Sequence, residues 1–407
     1  MNLRNLVALA TLALALVLVV MTFGGSKTKA APATCTVPGS HATIQLAVSD
    51  LSCSTINVAP GVYTENVTIS RSLTLNGAQA ANPVAGRTFP SASESTVNGQ
   101  ITVQAANVTI DGFSLTNPGQ ASGIIIKTAG DDALITNNII DTIGAASLNA
   151  NTQAIYLENG PDGVNVLGNR INNVAGILSS NGGIYIGDST SGNPSLNILI
   201  EGNSISNITS VSKGAYAIHV NNGASTAPSA TGYTTVEIRN NTINNLTGGG
   251  WAHAIGLEGD TPGVIVEDNS LSNVVAPGVD RIAVWFEDNP SFATGEVHNN
   301  NFNDGIVIYG IAVQPTLSGG PVDGVCNWWG SASGPGPIGP GAGAKVSPKV
   351  SYAPWLISPA PGGACIGGNV ATNKNQCKDD GWQTRVRANN TPFKNQGDCT
   401  QYVNTGK

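Results

Sequence analysis

The 407-residue sequence is short of charge, of aromatic rings and of any catalytic phrase that spacing alone would reveal. Charged residues make up 11% and aromatics 5%, so turns and a thin aliphatic interior are all that such a chain can build. The charge it has is acidic, −7 overall, and unevenly placed. Residues 1–30 carry Arg4, Lys27 and Lys29 and no acid, so the balance without them is −10. Residues 362–407 hold six Lys or Arg against three Asp, which leaves −13 on residues 31–361. An acidic body argues against a nucleic-acid partner. None of the six cysteines stands in a C-x-x-C pattern, and there is no nucleophilic Ser or Cys constellation, phosphate loop or clustered metal motif. No apolar stripe of helical period runs through the middle of the chain, which argues against a helical repeat.

What the sequence has instead is one phrase that keeps returning, typified by N-I-L-I-E-G-N-S-I-S-N-I from Asn197 to Ile208. Each copy is anchored on an apolar residue between two polar ones: Ile139, Ile171, Ile205, Ile243, Leu271 and Phe302, with Leu115 a weaker first copy. Two places before the anchor stand Asn137, Asn169, Asn203, Asn241, Asn269 and Asn300, and Phe113 breaks the column. Two places after it stand Asn117, Asp141, Asn173, Asn207, Asn245, Asn273 and Asp304, at steps of 24, 32, 34, 38, 28 and 31 residues. A constant phrase inside a variable period indicates a solenoid whose loops vary and whose coil core does not. The aliphatics sit at strand-like spacing between Gly and Asn, so the coils are strands. Asn tolerates the left-handed backbone of a sharp corner, and copies stacked about 4.8 Å apart can bond amide to amide. The expectation is a parallel β-helix with an internal asparagine ladder, as one solenoid over residues 32–361.

The two ends read differently. Met1 to Phe23 has Arg4 and then an apolar run from Leu6 to Val20, so residues 1–31 are expected to be a secretory signal cleaved near Ala30 to Ala33, or an uncleaved anchor. Membrane contact is expected only through that segment, and the body is expected to be secreted or at the cell surface. Six cysteines, Cys35, Cys53, Cys326, Cys365, Cys377 and Cys399, fit an oxidising compartment. Proximity pairs Cys35 with Cys53 and Cys377 with Cys399, leaving Cys326 with Cys365, although sequence does not prove the pairing. Ser40 to Leu51 places Ile44, Ala47, Val48 and Leu51 at helical spacing, a short helix to plug the open N-terminal end. Residues 78–96 read as a loop. Trp328 and Trp329 read as a cover for the other end, with a sugar platform as the alternative, and residues 362–407 as a small disulfide-clipped appendage.

A second strand aligns without gaps in every coil: G-I-I-I-K from Gly123, A-I-Y-L-E from Ala154, G-I-Y-I-G from Gly183, A-I-H-V-N from Ala217, A-I-G-L-E from Ala254 and A-V-W-F-E from Ala283. Alternation turns the second and fourth residues inward. The other column then faces solvent with Ile125, Tyr156, Tyr185, His219, Gly256 and Trp285. One step further come Lys127, Glu158, Gly187, Asn221, Glu258 and Glu287, with Asp188 and Asp288 following. Rings beside carboxylates on a long face suit a polysaccharide groove, and strand propensity alone would also place Tyr and Trp there. Tyr156, Glu158, Tyr185, His219, His253, Arg281 and Trp285 are the candidate carbohydrate contacts. Glu258, Glu287 and Asp288 would be the acids of an enzyme, or a Ca2+ site.

These phrases resemble the right-handed parallel β-helix repeat proteins of the pectin-lyase-like superfamily, of the secreted bacterial surface type, over about Thr43 to Trp355. The first coils, Ile56 to Gly77, resemble the entry coils of pectin methylesterases, and C-N-W-W-G from Cys326 to Gly330 resembles the family's closing segment. The resemblance implies an all-β, right-handed solenoid with a short N-terminal capping helix. It does not extend to family catalytic phrases. Gly130, Asp131 and Asp132 match the G-D-D of polygalacturonases without its companion phrases, and those of pectin methylesterases and pectate lyases are absent. The expected function is therefore an exported, envelope-associated, monomeric protein that presents a rigid surface to polysaccharide, another cell-envelope polymer or a binding partner without catalysis. The alternative is a lyase, hydrolase or epimerase acting on uronate-rich glycans.

Overall fold

The computed structural model describes residues 33–178, 181–187, 195–221, 236–258, 263–278, 280–287, 295–303, 308–317, 321–389 and 391–407. The expected leader over residues 1–31, Asp188, Asp288 and Asp304 lie outside the described residues. Among the described residues the chain winds through three long sheets of twelve, eleven and nine strands, stacked coil on coil in parallel. One coil runs from Asn165–Leu167 in the twelve-stranded sheet through Arg170–Gly176 in the nine-stranded one to Asn181–Gly187 in the eleven-stranded one. The next coil opens at Ile198–Glu201. Alternation sends Val166, Ile171, Val174, Ile184 and Ile186 inward, where all are buried. Each such side chain contributes roughly 1.5–3 kcal/mol on burial. The parallel β-helix expected from the repeats is the fold observed.

From Asn137 to Asn327 the corner between the twelve- and nine-stranded sheets is two residues long, and the two have different jobs. The first takes the left-handed conformation: Asn137, Gly168, Gly202, Asn240, Asp268, Asn299 and Cys326 have φ between 52° and 67°. The second is a buried asparagine, Asn138, Asn169, Asn203, Asn241, Asn269, Asn300 or Asn327. Each of the first six donates Nδ2 to the Oδ1 of the next at 2.9–3.1 Å. Burial without these partners would cost about 1–3 kcal/mol per orphaned group, so the column binds each coil to its neighbours.

The structure corrects the ladder in its first copy. Asn138, not Asn137, joins the stack, and Ile140, not Ile139, pairs with Ile171. The run Asn137-Asn138-Ile139-Ile140 satisfies the phrase in either register, and the left-handed φ of 52° at Asn137 decides between them. Thr142 takes the bend that Asn173, Asn207, Asn245 and Asn273 take in later coils. Sharp corners and the amide stack are thus separate columns, whereas the sequence reading had merged them.

The N-terminal helix is Ile44–Ser49, capped by the Thr43 side chain. Ile44, Ala47 and Val48 are buried in the main core, but Leu51 lies beyond the helix and is 86% exposed. Trp329 and Trp355 are buried at the opposite end, while Trp328 is half-buried. The disulfides are Cys35–Cys53, Cys326–Cys365 and Cys377–Cys399, with no free cysteine. Cys365–Gly367 still pairs with Trp355–Leu356. A separate small core of Ala371, Cys377, Phe393 and Cys399 follows, flanked by Trp382 and Tyr402. No helix among the described residues is long and apolar enough to cross a membrane.

The 78–93 segment holds a buried charge that its composition did not announce. Arg87 pairs with Glu94 through Nε at 3.0 Å and Nη2 at 2.6 Å, and both side chains are buried. Arg87 also donates to the Asn137 carbonyl, and Arg170 donates to the Arg87 carbonyl. The loop is thereby fastened along three successive coils.

Candidate functional site

The eleven-stranded sheet carries the expected stripe in register. Ile125, Tyr156, Tyr185, His219, Gly256 and Trp285 are successive partners across it, and Glu158, Gly187, Asn221, Glu258 and Glu287 form the adjoining column. Ile155, Leu157, Ile218, Val220, Ile255 and Leu257 all point into the core, as alternation requires.

Alternation fails at one position in each of these strands, and that failure builds the site. The first residue of every aligned block is Gly or Ala because its side chain faces inward beside another inward residue. A Cβ on Gly183 would lie 2.7 Å from both the Ala217 carbonyl oxygen and Ile205 Cγ2. The residue before it is therefore turned outward again. In two coils that residue is Tyr216 or His253, which pair with each other across the sheet. The aligned small residues do not by themselves announce Tyr216, one place before Ala217, or Trp251, three places before Ala254.

The outcome is a continuous run of rings. Tyr156 and Tyr185 lie 5.2 Å apart between centroids, Tyr185 and His219 5.1 Å, and Tyr216 stacks on His219 at 3.8 Å with planes 16° apart. Trp251 meets Tyr216 edge-on at 4.6 Å and stacks on His253 at 4.7 Å, and His253 lies 5.7 Å from Trp285. Tyr156, Tyr185 and Trp285 are half-exposed. His219 and His253 are 1% and 3% exposed, which corrects the expectation that both imidazoles offer a surface to a ligand. Tyr216 covers the first, and its neighbours Trp251 and Tyr216 enclose the second. They act behind the face rather than on it.

The carboxylates beside the rings have fixed partners. Glu158 pairs with Lys127. Glu258 accepts from Asn221 Nδ2 at 2.7 Å and lies 3.0 Å from His219 Nε2. Tyr216 donates its hydroxyl to Glu287 Oε1 at 2.6 Å. Burial, followed by the Glu287 charge, pushes the Tyr216 phenol well above its usual range. His253 Nε2 sits 2.9 Å from Asp280 Oδ1, a partner the sequence did not suggest. Arg281 pairs in register with Ala252, one step from His253, and its Nε is buried without a partner among the described residues. Asp288 cannot be placed with Glu258 and Glu287, since it lies outside the described residues.

Beyond Trp285 the face opens into a cavity of about 460 Å³ lined by Trp285, Tyr309, Pro315, Pro348, Asp280 and Lys349. Its walls are mostly apolar, with one acid and one base at the rim. Neither tryptophan of the C-N-W-W-G phrase takes part in this lining.

No family model matches this sequence, and no curated protein matches it. Among solved structures the fold is similar to the Dettilon tailspike protein gp208, at 15% identity and a TM-score of 0.42, over 79% of this chain and 68% of that one. It is also similar to ORF18 of Geobacillus virus E2, at 14% identity and a TM-score of 0.34, over 74% of this chain and about half (52%) of that one.

Proposed function

We propose that the protein is exported and holds a polysaccharide along the outer face of its eleven-stranded sheet, without cleaving it. The observation that supports this reading most is the run of rings from Tyr156 to Trp285, which leads into the cavity beyond Trp285. Half-exposed Tyr and Trp faces at coil spacing offer sugar rings apolar surface, and the neighbouring amide and carboxylate groups offer bonds to hydroxyls. The six paired cysteines suit an oxidising compartment outside the cytoplasm. Placement among the pectin-lyase-like surface proteins is part of the same proposal and rests on the coil phrases quoted above. A glycan array with pectins, alginates and envelope polymers tests it, followed by product analysis on any ligand found. Binding lost in Trp285→Ala and weakened in Tyr185→Ala, with no products released, supports it. Unchanged binding in both variants overturns it.

A second reading has one observation in its favour. A ring nitrogen of His219 and oxygens of Glu258 and Glu287 lie within 4.8 Å of one another, close enough for one carboxylate to act as acid and the other as base on a uronate-rich glycan. Product release that disappears in Glu287→Gln would favour this enzyme over the binder.

A further inference from the structure

We infer that His219, Glu258 and Glu287 form a binding site for one divalent transition-metal ion of the Zn2+ class. This goes beyond the glycan reading and does not rest on it. The three residues come from three successive strands, Gly214–Asn221, Trp251–Glu258 and Arg281–Glu287, and one ligand atom from each falls within 4.8 Å of the others. His219 Nε2 and Glu258 Oε2 are already 3.0 Å apart. Two ligands bonded to Zn2+ at about 2.0–2.2 Å in a tetrahedral shell lie about 3.3–3.5 Å apart. That edge is therefore almost formed, and the half-buried Glu287 side chain need only swing inward.

Charge points the same way. Among the described residues neither Glu258 nor Glu287, both half-buried, is paired with a Lys or Arg. Two carboxylates held this close beside an imidazole favour a cation placed between them. The imidazole, 1% exposed, sets Nε2 3.0 Å from Glu258 and has a ring nitrogen within 4.8 Å of a Glu287 oxygen.

The surroundings hold these ligands in place. Tyr216 donates to Glu287 and Asn221 to Glu258, and Tyr216 fixes the His219 ring plane by stacking on it. Such outer contacts orient metal ligands. A Cβ on Gly256 would stand 2.3 Å from Tyr216 Cε1 and 3.3 Å from His219 Cδ2, so the middle strand, which carries Glu258, has been left bare at that point to admit the ring. Imidazole nitrogen suits Zn2+, whereas Ca2+ asks for six to eight oxygens. The site is thus assigned to a nitrogen-accepting ion rather than to calcium.

Equilibrium dialysis of the chelator-treated full chain against Zn2+, with Co2+ as a visible-absorption probe, tests the assignment. One Zn2+ per chain is expected, with affinity reduced about tenfold or more in Glu258→Gln and in Glu287→Gln, and with the Co2+ absorption lost in His219→Asn. Asp141→Asn, on the nine-stranded sheet, should leave binding unchanged. Far-UV circular dichroism checks that each variant is folded, and the two isosteric Glu→Gln changes keep the test alive should His219→Asn unfold. No saturable binding, or Zn2+ binding that survives both Glu→Gln changes, overturns the site. Ca2+ displacing Zn2+ at equal concentration overturns the choice of metal class.

Discussion

The Tyr216 hydroxyl reaches Glu287 across an intervening strand, bonding at 2.6 Å to a residue 71 positions further along the chain. The ring can lie there because Gly256, on the strand it crosses, has no side chain to obstruct it. This one bond ties three coils together on the outside of the sheet, where the main-chain ladder ties only nearest neighbours.

Tyr216→Phe should keep the stacking on His219 and lose the bond, at a cost of about 1 kcal/mol. Its titration gives a second readout. The phenol is raised by burial and by Glu287, so its stabilising contribution is complete below the unfolded tyrosine value of about 10 and is lost as pH rises above that value. In the wild-type chain, one of the eight tyrosines should fail to ionise in ultraviolet titration until the protein unfolds. Tyr216→Phe should abolish that late step and flatten the alkaline loss of stability.

Asn203→Ala should be far more damaging than Asn245→Ala. The first change leaves the Asn169 backbone N–H and side-chain amide without their shared acceptor and frees the Val166 carbonyl, which together should cost about 3–5 kcal/mol. The second removes an exposed bond to Asn207 and places Ala at a φ of 62°, at about 1–2 kcal/mol. Urea unfolding of the two variants separates them.

Arg87→Met should leave the buried Glu94 carboxylate with the Ser114 hydroxyl as its remaining side-chain donor, and should cost about 3–5 kcal/mol. Replacing both partners with Met and Leu should restore most of the loss. Limited proteolysis should cut residues 78–93 in the single variant and spare them in the double one.

Asp162 lies in the turn beside Asp131 and Asp132, and burial pushes its carboxyl above the usual range despite the bond from the Leu196 backbone. A raised carboxyl means that the native state holds its proton longer than the unfolded chain does. Stability from this group therefore falls as pH rises from the unfolded value of about 3.9 through the native one, and the penalty persists at neutral pH. Asp162→Asn retains an acceptor for Leu196, so the variant should be slightly more stable at pH 7 and lose its advantage in acid. Thermal unfolding across pH 3–7 measures both.

The coil was legible because corner chemistry and buried aliphatics leave little choice of residue, so Asn169, Ile171 and their counterparts stand in fixed order. The first ladder copy was not, because two asparagines followed by two isoleucines fit two registers and only backbone conformation selects one. The stripe from Tyr156 to Trp285 could be read from alternation, and Glu258 and Glu287 fell opposite each other as that alignment required. What covers the stripe could not. Tyr216 faces outward only because a small residue after it turns inward, and the Asp280 partner of His253 comes from the lead-in to the next strand. The Arg87–Glu94 pair lay in a stretch whose Pro, Ser and Ala content suggests nothing buried.

The two-residue bend that ends on each buried asparagine is the same length in every turn from Asn138 to Asn327, although the turns range from 27 to 38 residues. All of that growth is accommodated on the other two sides of the spool. A chain built this way can acquire or shed loop sequence beside Glu258 and Glu287 without shifting the neighbouring turns, so its surface can diversify while the winding stays intact. For protein engineering, the same asymmetry marks where foreign peptide can be grafted and which bend must be left alone.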